Sequence, residues 1–398
     1  VIVFLALLPA YILSIFYRSF LSVIANPVIA DLGIGPREFG VLGAAWFITF
    51  ALAQFPVGWA LDRLGPRRTV AALMALGSVG AFLFANATSA FTGTLAMALI
   101  GLGCAPIFMS SLFLFARNEA PARFGLLTSI FIGLGSIGNL VGAAPLAIAA
   151  AHFGWRGAML AMAVCFLLAT VLAAALVRDP PHAEASSGKQ EGLWQGLRSI
   201  ARVRPLWLLA PITLTGYAII ATERGLWIAP FMSAVHAFDP IKSGHVATVM
   251  AVAMVVGAFA YGGLEQWARR SKPLVLWGTL LTGLAFAALA LRGGSDHAHA
   301  IGLFALIGAA GFTYAILMAH AKLFFPGHLI GRGMTFVNFL FIAGAAAIQY
   351  GSGWLIAAQG EAGLDKAATF ANLHWIFAAL LLASAAIYAF TPERPARG

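Results

Sequence analysis

GWALDRLGPRR, residues 58–68, is a short basic turn between two long apolar runs. To its left, nothing charged separates Glu38 from Asp62; to its right, nothing charged follows Arg68 until Arg117. About 20 apolar residues are enough for a helix to cross the hydrocarbon core of a bilayer. The same alternation of apolar run and polar turn continues along the chain. It predicts twelve spanning helices, at about 1–29, 36–61, 68–88, 90–116, 121–150, 155–177, 205–234, 242–264, 273–292, 298–324, 330–357 and 367–390. Internal prolines such as Pro106, Pro145 and Pro230 do not end such helices, because neighbouring helices satisfy the backbone groups they free. Composition agrees. The 398 residues are 61% hydrophobic and 10% charged, where soluble proteins carry about 25% charged residues. A soluble protein is excluded.

The net charge of +10 is a topology signal rather than a nucleic-acid patch. With twelve spans, seventeen loop Lys and Arg fall on the side of residues 62–68, and five (Arg37, Arg156, Lys242, Arg292 and Lys366) on the other. Basic loops stay cytoplasmic, so both termini are expected inside, in a bacterial inner (plasma) membrane. The first residue is Val, so the natural start of the chain is expected upstream. Cys104 and Cys165 both lie in apolar runs and read as packing residues. The long polar stretch RDPPHAEASSGKQEGLWQGLRSIARVRP (178–205) reads as a flexible linker followed by an amphipathic surface segment. It divides the chain into a six-helix bundle at 1–177, a cytoplasmic linker at 178–204 and a second six-helix bundle at 205–398. The halves echo one another. GLEQWARRSK (263–272) repeats the 58–68 turn with Glu265 203 positions after Asp62, and Arg332 follows Arg123 by 209. Duplicated six-helix bundles are a common transporter plan.

The turn resembles the signature loop of the major facilitator superfamily, G-x-L-x-D-R-x-G-R-R, matching at Gly58, Asp62, Arg63, Gly65, Arg67 and Arg68. The resemblance implies an all-α membrane fold of two pseudo-symmetric six-helix bundles, and transport by alternating access. It makes Gly58, Asp62, Arg63, Gly65 and Arg67 a cytoplasmic gate, with Asp62 as the conformational lock. In the second half the motif is decayed, with Gln266 and Ala268 in place of arginine and glycine. FGWR (153–156) is a frequent superfamily feature, and Trp155 and Arg156 are expected to anchor at the interface. GLGSIGNLVG (133–142) has the spelling of a dinucleotide fingerprint, but that fingerprint needs a strand before it. Inside a spanning helix, close packing on a Gly138-x-x-x-Gly142 face is the expectation.

Arg18 is the anomaly. It stands alone in about thirty apolar residues, where insertion of an arginine costs about 3 kcal/mol. On a continuous helix Tyr11, Ser14, Arg18, Ser22 and Asn26 form one polar stripe, which faces a bundle interior rather than lipid. Arg224 follows Arg18 by 206 positions, inside the repeat offset. Two guanidiniums near a pseudo-two-fold axis become favourable when an anion bridges them. This resembles the organic-anion branches of the superfamily, above all the organophosphate antiporters. Arg18 and Arg224 are therefore the candidate anion contacts, with Tyr11, Ser14, Ser22, Tyr217 and Trp227 beside them. Glu223, the only acid well inside a predicted span, is either a proton-coupling carboxylate or the counter-ion of a buried arginine.

The expected activity is secondary transport of a small organic anion, a carboxylate or phosphate ester, proton-coupled or by exchange. The expected partners are that anion, the bilayer and protons, with no nucleic acid and no cofactor, and the chain is expected to be a monomer. Two alternatives stay open: an exporter of hydrophobic drugs, or a carrier of a soft metal such as copper held by Met250, Met254, Met232 and His236. No GxxxxGK[ST] loop is present, so a gradient or exchange must supply the energy. The chain also lacks HExxH, GxSxG and a second intramembrane carboxylate, so an enzyme is not expected.

Overall fold

The computed structural model describes residues 2–118, 121–179, 200, 203–268, 270–293, 295–326 and 330–393. All the regular secondary structure among them is helical. The helices are α1 (Ile2–Phe16), α2 (Ala25–Leu32), α3 (Pro36–Arg63), α4 (Pro66–Ala85), α5 (Ala90–Asn118), α6 (Pro121–Gly135), α7 (Ile137–Val141) and α8 (Ala144–Leu176). There follow α9 (Arg204–Thr222), a π-helical turn (Glu223–Trp227), α10 (Ile228–His236), α11 (Pro240–Ala268), α12 (Ser271–Arg292), α13 (His297–Gly311), α14 (Tyr314–Lys322), α15 (Ile330–Glu361) and α16 (Lys366–Tyr388).

Local chemistry sets several ends. Pro36 and Pro66 open α3 and α4 at the first turn, where a missing N–H costs nothing. Asp296 and Asp365 cap α13 and α16 by accepting from the Ala298 and Ala368 N–H groups. Among the described residues, ten segments are long and apolar enough to cross a membrane. The difference from twelve has two causes. The fifth and sixth predicted spans read as one 47-residue run, Ile130–Leu176, in which Gly154 turns the chain at φ 72. The first predicted span is not one helix: α1 stops at Phe16 and α2 begins at Ala25, with residues 17–24 in turns.

By contact the chain divides into two compact units. The first takes in residues 1–186 with 225–233 and 238–248; the second takes in 187–224, 234–237 and 249–398. The boundary thus passes between Arg224 and Gly225, inside the π-helical turn. The expected linker lies mostly at 180–199, outside the described residues.

In the first unit α4 packs on α5 and α8, and α1 lies against α5, α7 and α8. Small residues permit this. A Cβ on Gly138 would overlap the Ile12 carbonyl, and one on Gly135 would overlap the Tyr11 ring. Gly138 is a packing position, as the sequence suggested, but the run is not inside one helix: it breaks at Ser136 between α6 and α7, and a Cβ on Gly133 would meet nothing within 4 Å. In the second unit α12 packs on α13 and α16, and α9 on α15. The buried Tyr388 hydroxyl meets His320 Nδ1 at 2.6 Å, closing one end of that core.

Trp155 and Arg156 correct the expectation of interfacial anchoring. Trp155 is buried and donates from Nε1 to Asp31 Oδ2 at 2.8 Å. Arg156 forms an ion pair with the same carboxylate and donates to the Ala87 carbonyl at 2.9 Å. The three segments that carry these residues are thereby tied together at one end. The Trp155 bond, then the Arg156 bond, holds the Asp31 carboxyl below its ordinary value of 3.8. A depressed carboxyl contributes its stability above the unfolded value and loses it as pH falls through the lower folded one. Asp31→Asn is therefore expected to lower the melting temperature at pH 7. The gap to wild type should close as melts are repeated below about pH 4.

Candidate functional site

Both intramembrane arginines stand where their helices lose α geometry. At Arg18 the chain has left α1, and its N–H bonds the Ile15 carbonyl at 3.3 Å, three residues back. Ser19 Oγ reaches Asn139 Oδ1 at 3.3 Å. The stripe Tyr11–Ser14–Arg18–Ser22–Asn26 is consequently not one helical face. Its spacing assumed an unbroken 3.6-residue period, and the eight residues between α1 and α2 reset the phase. Arg224 lies within the π-helical turn, a geometry that leaves a carbonyl without its helical donor and that recurs at functional sites. Here the Gly225 carbonyl accepts from the Ser22 N–H at 2.8 Å. Ser22 and Gly225 both belong to the first unit. This bond ties the segment between α1 and α2 to Gly225 within the first unit.

The aromatic faces of α3 answer part of Arg18's cost. Its guanidinium lies 5.2 Å from the Trp46 ring centroid and 5.0 Å from that of Phe50. The two rings are themselves stacked at 4.8 Å. A desolvated cation–π contact is worth about 2 kcal/mol, so two are commensurate with the cost of about 3 kcal/mol for a membrane arginine. Trp46 and Phe50 are one turn apart and were not singled out in the sequence, where an aromatic pair on a spanning helix reads as ordinary core.

The other candidates are distributed as follows. Tyr11 is buried and stacks on Phe131 at 4.7 Å and Phe108 at 5.4 Å. Ser14 and Ser22 are buried. Asn26 Nδ2 donates to Ser233 Oγ at 3.0 Å. Trp227 is buried, edge-on to Phe39 at 5.9 Å. In the second unit, Tyr217 meets Tyr314 at 5.7 Å and Phe341 at 6.3 Å. The π-helical turn between Tyr217 and Trp227 adds a residue to the count and shifts their register from that of an unbroken α-helix.

Glu223 and Arg224 are both buried in the second unit. Glu223 Oε2 lies 3.3 Å from His374 Nε2, and both side chains are 0% exposed. His374 is the partner that sequence reading missed. The available signal was that it is the only titratable residue between Lys366 and Tyr388 on α16.

In the signature loop, Gly65 adopts φ 83 and ψ 161, a region essentially confined to glycine. Asp179 Oδ1 accepts from the Arg67 N–H at 2.8 Å, and Arg67 Nε donates to the Ala174 carbonyl at 3.0 Å. The loop is thereby bound to the end of α8. Arg63 is exposed in the last turn of α3. A Cβ on Gly58 would meet nothing within 4 Å, so packing does not explain that glycine. The Asp62 side chain lies outside the described residues. A Cβ at Gly65 would strike the Asp179 carboxylate as well as strain the backbone. Gly65→Ala is expected to cost about 1–3 kcal/mol and to lower the melting temperature. Adding Asp179→Ala should recover only the steric part, measurable as a partial rise.

Met232, Met250 and Met254 are buried, but His236 Nε2 lies 2.6 Å from the Gly293 carbonyl, which engages that nitrogen.

The chain belongs to the Major Facilitator Superfamily, whose sequence profile matches residues 7–263, more than half its length. That family is one of membrane transporters rather than enzymes. A Bacillus subtilis (strain 168) protein carrying the name niacin/nicotinamide transporter NiaP is 24% identical over 262 residues, covering 65% of this chain and 64% of that one. An Escherichia coli (strain K12) protein named for L-galactonate transport is 23% identical over 277 residues, covering 65% and 60%. The match thus spans under two-thirds of the length of each relative. Among solved structures, a bacterial homologue of the human lysosomal transporter Spinster, inward-facing and unoccupied, superposes with a TM-score of 0.74 at 15% identity. That superposition covers 98% of this chain and 94% of the other, and establishes the fold.

Proposed function

We propose that this transporter moves a small organic anion, a carboxylate or phosphate ester, with Arg18 and Arg224 as its anion contacts. The observation that carries the reading is that two arginines at repeat-related positions both sit at helix interruptions. Broken spanning helices are where transporters place substrate groups, because irregular backbone is tolerated only where it is buried in protein or lines a cavity. A guanidinium with its fork of donors matches a carboxylate or phosphate bidentately. The relatives' names include two carboxylates, galactonate and ionised niacin, beside the neutral amide nicotinamide. Both termini are placed in the cytoplasm by the loop charges, with residues 58–67 as the inner gate and Glu223 as the proton-linked group. The two bundles are assigned to 1–177 and 205–398.

Counterflow in proteoliposomes tests this. Vesicles preloaded with nicotinate, L-galactonate or glycerol phosphate are diluted into trace radiolabel of the same compound. Accumulation of label for at least one anion, absent from empty vesicles, is the expected result. Accumulation of lipophilic cations or copper alone would sink it.

A further inference from the structure

At the turn between α12 and α13, side chains from separate helices meet. His236 closes α10, Asp296 caps α13, and His297 and His299 lie in its first turn. All four belong to the second unit. The His236 and His297 rings stand edge to face with centroids 6.4 Å apart. His236 Nε2 lies 2.6 Å from the Gly293 carbonyl. A carbonyl only accepts, so Nε2 carries the proton and the lone pair of that neutral imidazole is on Nδ1. Asp296 acts on the other two rings. Its Oδ2 accepts from His299 Nδ1 at 2.9 Å, and its Oδ1 lies 3.7 Å from His297 Nδ1. A carboxylate beside Nδ1 holds the proton there and puts the lone pair on Nε2. Ala237, which follows His236, is left-handed at φ 54, a conformation that a residue with a β-carbon enters at a cost. Strain of this kind gathers at functional sites.

We propose that His236 and His297 bind one divalent transition-metal ion, of which zinc is the representative. Imidazole nitrogens suit zinc, copper and nickel. Metal-bound histidines donate from their other ring nitrogen to a backbone carbonyl or a carboxylate, which fixes the tautomer and makes the ligand more basic. His236 has the carbonyl of Gly293, and His297 has the carboxylate of Asp296. Two imidazoles on one tetrahedral zinc, each with its nitrogen about 2.0–2.1 Å from the ion, set their centroids about 5 Å apart. The exposed His297 closes the difference from 6.4 Å by rotating its side chain. Among the described residues no three His, Cys, Asp or Glu side chains are grouped as metal ligands, so water completes the coordination. The positive end of α13 disfavours a cation, and the Asp296 carboxylate at that end offsets it. The bound ion ties the end of α10 to the turn before α13. It exchanges with solvent and involves no thioether, which separates it from a soft-metal cargo.

Calorimetric titration of tag-free, metal-stripped full chain with zinc chloride tests the site. Saturable binding of a single ion is expected. It should be lost in His236→Ala and in His297→Ala, and weakened about ten-fold or more in Asp296→Asn, which keeps an acceptor but not the charge. His245→Ala, at an exposed histidine on α11, should bind as wild type does. Because His297 is exposed, its variant should keep the wild-type melting temperature in the absence of metal. Copper(II) then serves as a spectroscopic probe: its paramagnetic resonance should show coupling to two imidazole nitrogens in wild type and to one in either histidine variant. No binding by wild type, binding undiminished in His236→Ala or in His297→Ala, or a loss equal in His245→Ala would overturn the proposal.

Discussion

Arg224→Ala is expected to abolish anion uptake in reconstituted vesicles. Arg224 is buried, so the charge-assisted bonds proposed between it and the anion would have no water to replace them. Truncating one partner of a buried, hydrogen-bonded charge pair costs about 2–5 kcal/mol, or about thirty-fold and upward in apparent affinity. Arg224→Lys retains charge but loses the bidentate fork, and should recover only part of the loss. Arg18→Ala should act in the same direction with a second consequence, because the guanidinium also lies over Trp46 and Phe50. Arg18→Lys keeps a cation above those rings and should preserve stability better than transport. Comparing melting temperature with uptake across the four variants separates the two roles.

The second large effect is on folding. Gly138→Ile is expected to prevent α1 from docking on α7. The added Cβ alone would overlap the Ile12 carbonyl and come within 2.8 Å of the Phe16 nitrogen. Those are backbone atoms of α1, so no rotamer change relieves the overlap. Overpacking of this kind costs about 1–3 kcal/mol in soluble cores, and more where nothing can yield. The variant should lose its monodisperse peak in size-exclusion chromatography, and Gly138→Ala should already lower the melting temperature. Gly351→Ala is the control. A Cβ there meets nothing within 4 Å inside α15, and alanine in a helix interior gains about 0.5–1 kcal/mol over glycine.

The large features were legible because they rest on composition and period. Runs of apolar residues give the spans, the 58–68 turn gives the family, and an offset near 206 pairs Arg224 with Arg18. The close approach of α7 to α1 was written in the glycines at 138 and 142. What the sequence hid was local backbone geometry and long-range pairing. The run Phe16–Ala25 has no Gly or Pro, and apart from Arg18, Ser19 and Ser22 it is apolar and aromatic, so hydropathy cannot mark the break. The π-helical turn adds one residue inside ATERGLW, where a lone Gly225 does not distinguish a widened turn from an ordinary helical glycine. Asp31 meets Trp155 across 124 positions, and no local period reports that kind of contact. The pairing of His374 with Glu223 was hidden for the same reason.

The most direct measurement of the central claim is a thermal-shift panel on detergent-purified wild type, Arg18→Ala and Arg224→Ala. The ligands are nicotinate, L-galactonate, dicarboxylates, phosphate esters, copper and lipophilic cations. A ligand bound only by the folded state raises the melting temperature with its occupancy. The account predicts that at least one anion stabilises wild type and that neither arginine variant responds to it. An anion response retained in both variants, or stabilisation by copper or lipophilic cations alone, would contradict it.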